Sequence, residues 1–317
     1  MNDANQTEDM LALGLQSHIV GTWAVAADGP VDPKYRAANA KFHVVSPDNY
    51  FTLEQLVGLH PDFIYAGYNY GFEVGSPTLQ PQYLTKFGIK SYVLAESCAH
   101  VQSSIQAASF SDIYTDLTNL GKIFNVRAKA AQVIAHMKSQ VASTAAKTAH
   151  LKPVSVFVCT GCTGAAPYIA AGLSMSTPML AAAGGRDIFA DFKVTYGAVS
   201  WEQVAARAPQ CIVYNVEVGS AYVSDSQAAV LKFFRTSSQT KNLPAVKNGC
   251  LHPSYNDQIT PDADSGDQVV AYARWLHPKQ FHQKPDGSSA SRQRNVSELS
   301  EVVVWQPRLL PRPIVRR

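Results

Sequence analysis

A fourteen-residue stretch occurs twice in this chain. Residues 52–65 align without gaps with residues 200–213, matching Glu54 to Glu202, Gln55 to Gln203, Pro61 to Pro209 and Ile64 to Ile212. Each copy reads as a short helix followed by a buried strand. Thr52 or Ser200 supplies the N-cap hydroxyl, and the Gln three residues on completes a capping box. Pro61 or Pro209 stops the helix, and the apolar run behind it has the length of a buried strand. One such unit in each half, about 150 residues apart, predicts two similar α/β lobes rather than a short-period solenoid. At 317 residues the chain is long enough for two domains, each with its own core.

Between the copies, residues 127–150 contain neither Gly nor Pro. Ala130, Ile134, Met137, Val141 and Ala145 recur there at three- and four-residue steps. That spacing predicts one long helix, roughly 35 Å at ~1.5 Å per residue. A helix in this place is a stiff strut, so limited hinge motion is expected. Strand-like runs precede it at 41–45, 62–66 and 90–95 and follow it at 154–159, 211–215 and 250–252. The alternation predicts an α/β fold of two similar lobes, with parallel sheets flanked by helices, joined by one long α-helix. The expected boundaries are an N-terminal lobe over 1–121 lacking its first strand, a connecting helix over 122–150 and a C-terminal lobe over 151–277. A disordered basic tail is expected over 278–317.

The charge divides along the same lines. The formal net charge is +3, yet residues 278–317 hold eight basic and three acidic residues, leaving the body at −2. The tail also carries five prolines and little apolar periodicity, which is the composition of a chain that cannot bury enough surface to order itself. No clustered Lys and Arg in the body forms a nucleic-acid face. No apolar run approaches the ~20 residues needed to span a bilayer. Residues 1–5 lack the basic and apolar regions of a secretory leader, so an export signal is expected to lie outside this chain.

In parallel α/β sheets ligands bind beyond the carboxyl ends of the strands. Aromatic residues gather there: Trp23 after the first helix, Tyr68 and Tyr70 after the 62–66 run, Tyr168 and Tyr196 in the second half, and Tyr255 near the end. Taken singly, each is explained as a core aromatic whose hydroxyl meets the backbone. As a set on loops at one edge, they would line a cleft that stacks on a large flat or conjugated ligand. Glu54 and Glu202 both fall in the first turn of their helix, where a carboxylate complements the dipole by ~0.3–1 kcal/mol. Their repetition also suits docking to basic sockets on a symmetric partner.

Cys159 and Cys162 form a lone C-x-x-C at a strand end, with Gly161, Gly164 and Pro167 placing it in a loop rather than opening a helix. With Cys98, its bridging is open. The nine histidines are scattered without ligand spacing, so no metal site is expected. No nucleophile elbow, phosphate loop or dinucleotide fingerprint is present.

Residues 7–15, 56–64, 84–89, 182–189 and 199–204, in this order and spacing, resemble the helical-strut (class III) periplasmic binding proteins of iron-siderophore, haem and vitamin B12 importers. The likeness covers roughly residues 5–277. It implies a non-enzymatic ABC-importer component, monomeric, at the periplasm or outer face of the membrane. That component would hold a siderophore, haem or corrinoid between its lobes without any cofactor of its own. By position, Glu54 and Glu202 are similar to the pair that docks onto the permease dimer. Tyr68, Tyr168 and Tyr196 fall where the family places pocket aromatics, with Trp23 near another. The family opens with a leader and a strand before the residue 7 helix, and neither is present here. Two other classes stay open: a metal chelatase or metallocluster-type enzyme on a related two-lobed fold, and a C-x-x-C redox or metal-sensing protein.

Overall fold

The computed structural model describes residues 4–23, 34–46, 51–68, 71–72, 79–100, 106–216, 226–255 and 258–281. For Trp23, Ser46, Ala99 and His100 the backbone alone is described. Residues 1–281 form one compact unit, and the expected tail from residue 282 onward lies outside the described residues. The first four residues of that expected tail are ordered as a helical turn, Pro278–Phe281.

The first half runs α1 (Ala4–Ala12), β1 (Thr22–Trp23), α2 (Arg36–Asn39), β2 (Val44–Ser46), α3 (Leu53–Gly58), β3 (Phe63–Tyr68) and β4 (Gly71–Phe72). It continues with α4 (Pro81–Leu84), β5 (Lys90–Val93) and α5 (Phe110–Ile123). The long helix α6 (Arg127–Thr148) follows. The second half runs β6 (Val154–Gly161), β7 (Tyr168–Ala170), α7 (Ser176–Ala182), β8 (Gly185–Asp187), β9 (Tyr196–Ala198) and α8 (Trp201–Arg207). Then come β10 (Cys211–Asn215), α9 (Gln227–Thr236), α10 (Pro244–Lys247), β11 (Leu251–Ser254), α11 (Ser265–Leu276) and α12 (Pro278–Phe281).

The repeat is visible in the backbone. At α3 the Gln55 N–H donates to Thr52 Oγ1 at 3.2 Å, and the Thr52 N–H donates to Gln55 Oε1 at 3.0 Å. At α8 the same pair of bonds joins Ser200 and Gln203 at 3.2 and 2.9 Å. The equivalence extends past the helices, because His60 and Ala208 both adopt positive φ, +49° and +42°. Each therefore turns the chain in the left-handed region one residue before its proline.

Among the described residues, the second half holds a sheet ordered β11-β10-β6-β7-β9, with β8 also beside β6. The first half holds β4-β3-β5 and the separate pair β1-β2. The parallel-sheet expectation holds for β11, β10, β6, β8 and all first-half pairs. It is corrected at one side of the second sheet, where β7 is antiparallel to both β6 and β9. Only residues 162–167 join β6 to β7, too few for the crossover that a parallel neighbour requires.

The expectation of a separate core for each half is also corrected. One cluster draws Met10, Tyr65 and Leu117 from the first half and Val156, Val213 and Tyr272 from the second. Further clusters cover the opposite face of each sheet, around Ile64 and Phe72 in one half and Phe157 and Trp201 in the other. The helices explain the sharing. α6 packs on α5 on one side and on α7 and α11 on the other. α1 reaches across to the second half, where Asn5 Nδ2 donates to Pro261 O at 3.1 Å and Asp9 Oδ1 accepts from the Ala263 N–H at 2.8 Å.

Candidate ligand-binding site

The parallel strands of each half end in a polar edge. In the first half, β3 continues two residues beyond the expected strand, so Tyr68 closes a strand instead of standing on a loop. Its N–H donates to Ser97 Oγ at 3.0 Å, and Ser97 Oγ donates to Leu94 O at 2.7 Å, fastening the chain after β5 to the end of β3. The Tyr68 ring is half-buried with its centroid 6.1 Å from that of Phe72. Behind this edge lie buried acids. Asp116 accepts from Tyr92 Oη at 2.8 Å and from the Ala95 N–H at 3.1 Å, and burial still pushes its carboxyl up to about 7. Burial, with Asp112 and Asp116 nearby, pushes Glu96 up to about 8. Asp9 accepts from Tyr65 Oη at 2.7 Å, and burial holds it well above the ordinary range.

In the second half, register brings the two predicted tyrosines onto one face. Tyr168 pairs with Gly161 on β6 and with Ala198 on β9, while Tyr196 pairs with Ala170, two residues further along β7. Strand alternation then points Tyr168 and Tyr196 to the same side of the sheet. Tyr168 is 49% exposed, an unusual solvent-facing aromatic, and Tyr196 is half-buried. A side chain at Gly161 would meet Tyr168 Cβ at 3.2 Å, so glycine admits the close crossing. The turn between them is held by Trp201 Nε1, which donates to Gly164 O at 3.0 Å. Cys159 and Cys162 are bridged to each other at the end of β6, as are Cys211 and Cys250 between β10 and the entry to β11, while Cys98 is free. The C-x-x-C leaves a strand and enters a turn, as its glycines and proline required.

The other predicted residues are dispersed. Trp23 lies on β1, with its backbone paired to Ser46. Tyr70 lies outside the described residues. Tyr255 follows β11 and packs against the cluster around Phe157, on the opposite face from Tyr168 and Tyr196. Glu54 and Glu202 are exposed, and hydrogen bonds from their own first turns hold both carboxyls below the ordinary value.

One set of residues escaped the sequence reading. Thr160, Asn215 and Ser254 stand on neighbouring positions of β6, β10 and β11: Asn215 pairs with Ser254, and Tyr214 pairs with Cys159 one step before. They are 8%, 2% and 1% exposed, and Thr160 Oγ1, Asn215 Oδ1 and Ser254 Oγ have no hydrogen-bond partner among the described residues. The signal was a single polar residue closing each apolar run, too short for any periodicity to register.

Two α/β halves are bridged by one long helix, with polar and aromatic strand ends in both. Residues 2–251 match the family described as periplasmic binding protein, and the chain belongs to that family, whose members bind solutes and are not enzymes. Its fold is similar to that of a periplasmic binding protein from Veillonella parvula, with 22% identity and a TM-score of 0.74 over 87% of this chain and 90% of that one. A protein of an ABC-type Fe3+-hydroxamate transport system from Saccharomonospora viridis is 20% identical, with a TM-score of 0.71 over 87% and 91% of the two chains. A periplasmic heme-binding protein from Pseudomonas aeruginosa is 18% identical, with a TM-score of 0.68 over 87% and 90%.

Proposed function

We propose that this protein captures an iron chelate or haem at the facing strand edges of its two halves and delivers it to the permease of an ABC importer. The reading takes residues 1–121 and 151–277 as the two lobes and 122–150 as the connection between them. Similar structures named for Fe3+-hydroxamate transport and for heme binding support the ligand class. Two disulfides support a place outside the reducing cytoplasm. The observation that carries the delivery step is the equivalence of Glu54 and Glu202. Each is exposed, each stands in the first turn of a helix closed by the same capping box, and there is one in each half. A pair placed in this way suits two basic sockets on a two-fold permease.

The experiment is charge reversal. Glu54→Lys and Glu202→Lys should leave ligand affinity unchanged, since both carboxylates are exposed on the first turns of α3 and α8 and neither is among the residues proposed to touch the ligand. Each single reversal should impair uptake through the cognate permease, and the double reversal should abolish it, because like charges would then face each other. Normal uptake by the double variant would remove the docking role.

A further inference from the structure

No acidic residue occurs between Asp116 and Asp187, in a body whose net charge is −2. Every residue of this stretch is described, and α6 runs through it. Lys122, Arg127, Lys129, Lys138, Lys147 and Lys152 stand on α6 or within five residues of its ends, and all are exposed. Among the described residues none of the six is in an ion pair. Lys138 lies over the Tyr114 ring at 4.8 Å and Lys147 over the Phe281 ring at 5.6 Å, contacts that place the two ammonium groups without neutralising them. The carboxylates on the helices packed against α6 are engaged elsewhere. Asp116 is buried, Asp112 accepts from the Ser109 N–H at 2.8 Å, and Asp264 and Asp267 of α11 share Lys34.

The helix sorts these charges by its period. Ala130, Met137, Thr144 and Thr148 form the buried stripe of α6. At 3.6 residues per turn the opposite face is centred on Ala128, Ala135, Ser139 and Ala146, all exposed. Arg127 and Lys138 border that face on one side, and Lys129 and Lys147 border it on the other. The side chains between the borders are shorter than the cations, which can therefore reach one flat surface together over about 33 Å of helix.

We infer that the exposed face of α6 docks on an anionic lipid bilayer. Charge selects this occupant. The same face of a second copy repels it, and residues 282–317, with seven basic and three acidic residues, are no better matched. Four to eight basic residues on one helix suit anionic headgroups, and each that reaches the surface strengthens binding by about fivefold. The choice of a bilayer over another polyanion rests on the delivery reading, because the permease lies in a membrane. Glu54 and Glu202 stand on α3 and α8, so holding at the membrane and docking on the permease use separate surfaces.

Co-sedimentation of the full chain with vesicles of phosphatidylglycerol or of phosphatidylcholine tests this. The protein should bind the anionic vesicles at about 0.1 M salt, leave them at about 1 M, where the Debye length is only about 3 Å, and ignore the zwitterionic ones. Arg127→Gln, Lys129→Gln, Lys138→Gln and Lys147→Gln combined should weaken binding by at least about 100-fold. Gln forms helix as readily as Lys or Arg, so the thermal midpoint should hold. A second variant removes the same charge from other exposed positions, Lys41→Gln, Lys90→Gln, Lys193→Gln and Lys232→Gln, and should bind nearly as the parent does. Unchanged binding by the α6 variant, an equal loss in both variants, or equal binding to both lipids would each overturn the inference. Lipid-free dimers that dissociate on the α6 substitutions would assign the face to a second copy and overturn it as well. No readout involves a chelate or a permease, so failure here is distinct from failure of the capture and delivery reading.

Discussion

Glu96 shows how one residue's burial becomes a property of the whole protein. Its carboxyl ordinarily titrates near 4.5, and burial raises it to about 8 in the fold. Between these values the native state keeps a proton that the unfolded chain has released, so its stabilising effect is complete below the lower value and is lost as pH rises through the upper. Asp116, raised to about 7, acts in the same direction. His252 acts oppositely, because desolvation lowers it to about 4, but that effect is confined to pH below about 6.5. Thermal melts should therefore show stability falling from pH 6.5 to 8. Glu96→Gln should remove Glu96's share of that fall, about 2 kcal/mol between pH 6.5 and 8 at ~1.4 kcal/mol per pH unit. A variant whose stability falls as steeply as the parent's would contradict this account. Tyr68, Tyr168 and Tyr196 offer a separate residue-level test. Replacing each by Leu should weaken chelate binding several-fold, as stacking contributes about 0.5–1.5 kcal/mol per ring. Normal binding in all three would place the ligand elsewhere.

At the scale of elements, α6 is fixed by close helix contacts on both sides. A side chain at Gly121 of α5 would meet Ala130 Cβ at 2.6 Å. One at Gly266 of α11 would meet Gln140 Oε1 at 2.6 Å, Met137 Cγ at 2.9 Å and Met137 Cα at 3.1 Å. Gln140 Nε2 also donates to Asp267 Oδ1, tying the same two helices. Alanine usually favours a helix over glycine by about 1 kcal/mol, yet here the backbone of Met137 cannot yield cheaply. Gly266→Ala should cost about 1–3 kcal/mol in urea unfolding, whereas Gly58→Ala, with nothing within 4 Å, should be neutral or slightly stabilising. Equal midpoints for the two variants would show that α11 does not press on α6 as described.

For the molecule as a whole, the strut is one of several ties between the halves. The shared core, the bonds from Asn5 and Asp9 to residues 261 and 263, and the Ala108 N–H donating to Leu173 O at 3.0 Å cross between them as well. Wide opening would break all of these together. Small-angle scattering with and without a bound chelate should give nearly the same radius of gyration, and a marked contraction on binding would reject the rigid arrangement.

Local chemistry by itself determined the repeat units, their caps and the long helix. A hydroxyl three residues before Gln, a proline after the turn, and a Gly- and Pro-free run at helical spacing act over a few residues, wherever the rest of the chain goes. It also determined that the C-x-x-C would lie where a strand runs out into a turn. Tertiary structure alone decided which strands became neighbours, because pairing depends on partners dozens of residues away. That pairing turned β7 against β6 and put Tyr168 and Tyr196 on one face. It sent Tyr255 to the other face and merged the two expected cores through α1, α6 and α11. The row of Thr160, Asn215 and Ser254 is the clearest case. Each is an isolated polar residue in the sequence, and only the register of three parallel strands makes them a row.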